Sequence, residues 1–152
     1  VTVVGLDLID MNAGVSNFHL VNVTLQDSSF GEGSSLLNVD SGDQIELANF
    51  FVSSVGNTDH SQFNDIIHLQ KLTGNRPKLI RNVTIVGSDI NLVRLGGFEG
   101  QGSGTLAFDQ MSLHDLSIGQ PTSLFHFEEF ASDSDYKIEI TNSVFKNVTY
   151  AQ

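Results

Sequence analysis

One pattern recurs five times in this chain of 152 residues: two alternating apolar positions, an amide side chain two residues on, and a further apolar residue. It reads Phe18-x-Leu20-x-Asn22-x-x-Leu25, Ile45-x-Leu47-x-Asn49-x-x-Val52, Lys78-x-Ile80-x-Asn82-x-x-Ile85, Leu106-x-Phe108-x-Gln110-x-x-Leu113 and Ile138-x-Ile140-x-Asn142-x-x-Phe145. The anchors are spaced 49 − 22 = 27, 82 − 49 = 33, 110 − 82 = 28 and 142 − 110 = 32. A second pattern, two apolar residues, one variable, one apolar, alternates with the first. Its copies are Val3-Val4-Gly5-Leu6, Leu36-Leu37-Asn38-Val39, Ile66-Ile67-His68-Leu69, Leu92-Val93-Arg94-Leu95 and Leu124-Phe125-His126-Phe127. Two motifs in strict alternation at a period near thirty are the signature of stacked supersecondary units.

Each unit reads as strand, amide turn, strand, loop, strand, loop. A unit of this size cannot bury its apolar face alone, so successive units stack at about 4.8 Å and pair strand on strand. Positions −4, −2, +1 and +3 around the anchor point inward. The anchor itself marks a bend, because Asn tolerates left-handed backbone and can bond to its neighbour in the stack. The expectation is an inward-facing ladder of Asn22, Asn49, Asn82, Gln110 and Asn142. Lys78 occupies an inward position, and the local expectation is a bulge that puts Leu79 there instead.

The Asn-anchored units, with phrases such as Ile140-Thr141-Asn142-Ser143-Val144-Phe145, resemble the right-handed parallel β-helix of the pectin-lyase-like superfamily. The resemblance covers nearly the whole chain and points to that superfamily's non-catalytic structural and adhesin members. It implies an all-β fold, a right-handed parallel β-helix or solenoid of about five coils with variable loops, filling residues 1–152 as a single domain. Two rival readings compete with it. An antiparallel sandwich also uses many short strands, but its hairpin dipeptides Asn-Gly and Asp-Gly do not occur. Residues 59–72 place Phe63, Ile66, Ile67 and Gln70 near one helical face, although the repeat alignment outweighs that pattern.

Composition narrows the function classes. A formal charge of −11 argues against phosphate backbones and anionic membranes. No apolar run approaches the roughly 20 residues that span a bilayer. With Cys 0, thiol catalysis, disulfides and Cys-zinc sites are excluded.

Catalytic signatures are fragmentary. Asn57-Thr58-Asp59, followed by His60, resembles the first polygalacturonase signature, but the family's Asp-Asp, Gly-His-Gly and Arg-x-Lys companions are missing. Inverting hydrolysis needs two carboxyl groups, and one Asp is not a mechanism. Arg76, Lys78 and Arg81 cluster without the aspartates a lyase site requires. His68 and His126 fall at the same position two units apart, about 10 Å, too far to share a metal. The expectation is therefore no catalytic residue, no metal ligand and no cofactor. The nearest approach to a calcium site is Glu128, Glu129, Asp133 and Asp135, matched on an earlier loop by Asp40 and Asp43.

Three sequons, Asn22-Val23-Thr24, Asn82-Val83-Thr84 and Asn147-Val148-Thr149, give N-glycan acceptors. If the anchor faces inward, Asn147 is the most accessible of them, ahead of Asn82 and Asn22. The chain opens inside one strand and closes inside another unit, with no capping helix at either end. Open strand edges template further pairing, so the expected partners are copies of the chain or neighbouring domains of the same protein. Together these features point to a non-enzymatic extracellular or cell-surface structural protein, of fibre, stalk or adhesin type. The alternative is a carbohydrate-active or carbohydrate-binding β-helix using outward residues such as His19, Phe51, Thr24, Thr84 and Asn38. Sugar-stacking platforms are scarce, with Trp 0 and Tyr 2.

Overall fold

A computed structural model describes residues 2–4, 9–11, 15–31, 35–57, 65–72, 74–88, 91–95, 103–118, 124–127 and 135–150. These residues are strand almost throughout. The elements are β1 (Thr2–Val4), β2 (Ile9–Met11), β3 (Val15–Gly31), β4 (Ser35–Asn57), β5 (Asp65–Leu72), β6 (Lys78–Val86), β7 (Asn91–Leu95), β8 (Ser103–Ile118), β9 (Phe125–Phe127), β10 (Asp135–Thr141) and β11 (Val144–Tyr150). Every pairing among them is parallel. That removes the antiparallel sandwich. The helical reading of 59–72 gives way to strand over Asp65–Leu72, and residues 59–64 lie outside the described residues.

The registers reproduce the sequence spacing. Leu20 pairs with Leu47, Leu47 with Ile80, Ile80 with Phe108, and Phe108 with Ile140. The second motif forms its own pairing line, in which Leu37 meets Ile67, Ile67 meets Val93 and Val93 meets Phe125. Its first member is Ile9, which meets Leu37, and not the Val3-Val4 copy expected from the sequence, because Val3 pairs with Phe30 on another line. Each residue thus meets the residue one repeat later, and the apolar columns follow from that register.

β3, β4 and β8 are long because the chain turns corners without leaving its ladder. The corners are residues with positive φ: Asn22 (61°), Asn49 (58°), Asn82 (52°), Gln110 (56°) and Asn142 (49°) at the anchors. A second set stands five residues later, at Asp27 (47°), Ser54 (53°), Gly87 (57°), Asp115 (54°) and Asn147 (52°). Gly adopts this backbone freely, and Asn and Asp tolerate it through local hydrogen bonding. Between each pair of corners lie four residues, all of them strand except Ser143.

Inward positions carry the core. Ile45, Leu47, Phe50, Val52, Ile80, Val83, Ile85, Leu106, Phe108, Met111 and Leu113 are all buried. Each such side chain contributes about 1.5–3 kcal/mol relative to leaving it in water. The ring of Phe108 packs edge-on to Phe125, centroids 5.2 Å apart, joining two pairing lines across the interior. Leu36 and Leu37 are both buried, as are Ile66 and Ile67. Consecutive buried residues mean that β4 and β5 are covered on both faces there, which explains the doubled apolar pair in the second motif.

Two sequence expectations are corrected. The anchor amides Asn22, Asn49, Asn82, Gln110 and Asn142 are exposed, not inward. A left-handed residue at a corner throws its side chain out of the strand's alternation, so the residues two before and one after it take the inward places, as Leu47 and Phe50 do around Asn49. Lys78 itself occupies the interior, fully buried, while Leu79 pairs with Glu46 in an unbroken register. No bulge forms, because the Lys78 ammonium finds backbone partners inside.

Candidate functional site

Among the described residues, a polar cluster inside the molecule surrounds Lys78. Its stem lies in the apolar column between Ile45 and Leu106, and its Nζ donates to the carbonyls of Arg76 (2.8 Å) and Gly74 (3.2 Å). Tyr136 closes the group from two repeats away. Its hydroxyl donates to the same Gly74 carbonyl at 2.9 Å, and its ring centroid lies 5.3 Å from Nζ. Burial pulls the Lys78 ammonium below its ordinary range, while the Asp43 carboxylate pulls it back up. Burial pushes the Tyr136 phenol above its ordinary value, and Asp43 adds to that.

Backbone shape makes this cluster. Gly74 has φ +67°, and a Cβ there would collide with the Asp43 carboxylate. Gly104, in the strand between β6 and β10, leaves room for Tyr136: a Cβ would stand 3.2 Å from the tyrosine Cε1. Arg76 lies 3.5 Å from Asp43 through Nε and donates to Asn17 Oδ1 at 3.0 Å. Asp43 Oδ1 is buried and accepts no hydrogen bond. A desolvated amine can serve as base or nucleophile, but Lys78 is fully buried beneath a tyrosine ring. The geometry is that of an internal polar clasp.

Outside, hydrogen-bonded columns run along the repeat direction. Asn49 Nδ2 donates to Asn22 Oδ1 (2.8 Å), and Asn82 Nδ2 donates to Asn49 Oδ1 (2.7 Å). The ladder sidesteps at Gln110. Asn142 Nδ2 instead donates to Asp109 Oδ1 at 2.8 Å, where Thr141 Oγ1 also donates at 2.7 Å. Those two donors hold the Asp109 carboxyl below the usual carboxylate range. At the second corner Asn147 Nδ2 donates to Asp115 Oδ1 at 2.8 Å. Glu46 bridges Arg81 (2.7 Å) and His19 (3.1 Å). These columns neutralise charges locally and repeat the stacking of the backbone.

Two further features have chemical potential. Ser112 Oγ and His114 Nε2 are 2.7 Å apart on one strand face. An open cleft of about 500 Å³ lies along the second corner, lined by Ser54, Val55, Gly56, Gly87, Ser88, Asp115 and Ser117. Ser88 helps to form it. Its hydroxyl accepts from Val55 N–H at 3.2 Å, standing in for a backbone carbonyl where β6 has ended.

Of the residues singled out in the sequence, Asn22, Asn82 and Asn147 are exposed corner residues. Thr58, Asp59, His60, Glu128, Glu129 and Asp133 lie outside the described residues, as do the side chains of Asn57, Asp40 and His126; Asp135 is exposed. His68 and His126 share a pairing line with Arg94 between them, as their equivalent positions require. Arg76, Lys78 and Arg81 do not converge, since Lys78 is inside and Arg81 faces Glu46 on the surface. Sequence reasoning missed the Lys78 clasp. Its trace was Gly104 one repeat before Tyr136, a small residue under a large one.

No protein family matches the chain, and no curated protein or solved structure matches it either.

Proposed function

We propose that this chain is a right-handed parallel β-helix of about five coils and that it serves as a non-enzymatic structural element of an extracellular assembly, of the fibre, stalk or adhesin kind. The parallel registers support the helix, and the handedness follows the near-universal preference of parallel crossover connections. One observation carries the structural role. The polar side chains at its corners and along its outer columns bond mainly to each other, in the stacking direction, as in Asn22–Asn49–Asn82 and His19–Glu46–Arg81. Such a surface invests its polar groups in rigidity along one axis. N-glycans at Asn147, Asn82 and Asn22 fit this role, because all three amides stand at exposed corners.

A second reading is a carbohydrate-binding or carbohydrate-active β-helix. The cleft beside Asp115, with the hydroxyls of Ser54 and Ser117 and a glycine floor at Gly56 and Gly87, favours it. One experiment separates the structural reading from the carbohydrate-active one. The chain is incubated with a panel of neutral and acidic polysaccharides, and reducing ends and unsaturated products are assayed. The structural reading expects no product with any of them; release of either product overturns it.

A further inference from the structure

Ser112 and His114 stand on β8 between the corners Gln110 and Asp115. Their neighbours Met111 and Leu113 are buried, so strand alternation turns both side chains outward, where they are half-buried. Ser112 Oγ and His114 Nε2 are 2.7 Å apart, within the reach at which a base takes a hydroxyl proton. β8 is paired on both flanks here, with Thr84 and Val144 beside Ser112 and with Val86 and Lys146 beside His114. The backbone under the pair is therefore held from both sides, and the pair keeps its spacing.

The same pairing limits the chemistry. The peptide groups of β8 are spent in its two ladders, so they do not serve as the oxyanion donors on which cleavage of ordinary esters relies. A serine with a base but without such donors attacks only a carbonyl whose leaving group departs readily, as in a thioester or an aryl ester. The acyl-serine that results is an ordinary alkyl ester, and the same shortage of donors leaves it in place.

We propose that Ser112 is an acylation site for activated esters, with His114 as its general base. In the tautomer that carries its proton on Nδ1, the His114 Nε2 accepts the Oγ–H bond. Oγ then bonds to the acyl carbon and its proton passes to Nε2. The bond from the acyl carbon to the sulfur or oxygen of the leaving group breaks, and Nε2 returns the proton to the departing thiolate or aryloxide. The acyl group stays on Ser112. This goes beyond the structural reading and leaves it standing, because one acyl transfer per chain is a modification and not turnover.

The full 152-residue chain is incubated with p-nitrophenyl acetate, and the acetylated positions are read over time by peptide mass spectrometry. The expected result is an acetyl group on Ser112 that persists after the ester is removed. Thr84 and Ser53 are controls within the same chain, since each is a half-buried hydroxyl residue between corners with no histidine two residues away. They should stay unmodified. His114→Gln should slow acetylation of Ser112 about a hundredfold while the circular dichroism spectrum stays that of wild type. Acetyl groups on lysines with Ser112 untouched overturn the proposal, as does labelling of Thr84 and Ser53 as fast as Ser112. A His114→Gln chain that reacts at the wild-type rate, or a Ser112 acetyl group lost as fast as it forms, overturns it too. If His114→Gln fails to fold, the comparison with Thr84 and Ser53 decides alone. An unmodified Ser112 sinks this proposal only, and the polysaccharide assay still tests the structural reading.

Discussion

Tyr136 donates its hydroxyl to the carbonyl of Gly74, 62 residues earlier and two repeats away, and it gets there by passing over Gly104. The clasp joins three successive repeats with one side chain. Its cost is a glycine in a strand, a position that ordinarily weakens pairing.

Gly104→Ala should destabilise the chain, because the added methyl would stand 3.2 Å from the tyrosine Cε1, closer than ordinary contact, against a ring held by its bond to Gly74. Tyr136→Phe should cost about 1 kcal/mol, the usual net value of one hydrogen bond. In a Tyr136→Ala background the Gly104→Ala change should turn neutral or stabilising. Urea denaturation of the four chains checks this, and a coupling energy below about 0.5 kcal/mol would show that the two sites are independent.

Asn49 lies in the middle of the ladder with φ 58° and two side-chain bonds. Asn49→Ala loses both bonds and leaves a Cβ in left-handed backbone without the local hydrogen bonding by which Asn tolerates it, for a total of about 2–4 kcal/mol. Asn49→Gly loses the same bonds without the backbone penalty. The alanine variant should therefore melt lower than the glycine variant; equal melting temperatures would mean that strain at the corner is absent.

Gln110 holds the same backbone at φ 56°, with a side chain ill suited to it. Gln110→Asn should raise stability by about 0.5–1 kcal/mol, through a better corner residue and a shorter amide in the ladder column. Thermal denaturation of the single variant checks it.

Asp109 titrates below the usual carboxylate range in the folded chain because Thr141 and Asn142 bond to its charged form. The sign follows from linkage: a depressed folded pKa contributes stability above the unfolded value of about 3.9, and the contribution is lost as pH falls through the folded one. Between pH 5 and 2 the wild type should lose more stability than Asp109→Asn. Melting curves at each pH test this, and parallel losses in the two chains would contradict it.

The architecture was legible because its signal is redundant. Five copies of one spacing fixed the offsets between Leu20, Leu47, Ile80, Phe108 and Ile140, and alternation fixed the inward apolar positions but not the outward turn of the anchor amides between them. The second set of corners was harder to see, since Asp27, Ser54, Gly87, Asp115 and Asn147 share a backbone conformation and no side-chain chemistry. Lys78 was misjudged for a different reason. Its burial depends on carbonyls of a turn that accept from its ammonium and on a tyrosine two repeats away, and nothing in the local apolar pattern reports on either. Asn57 to His60 and the acidic loop around Glu128 carried chemical suggestions that no other residue reinforced.

The two corners of each repeat are always five residues apart, at 22 and 27, 49 and 54, 82 and 87, 110 and 115, and 142 and 147, although the repeats themselves differ in length from 27 to 33. All the length variation is therefore carried by the rest of each repeat, and none by the cornered segment. Evolution or an engineer can lengthen one segment without shifting the registration of any other, which makes the chain a ruler with fixed graduations on one side and freely exchangeable cargo on the other.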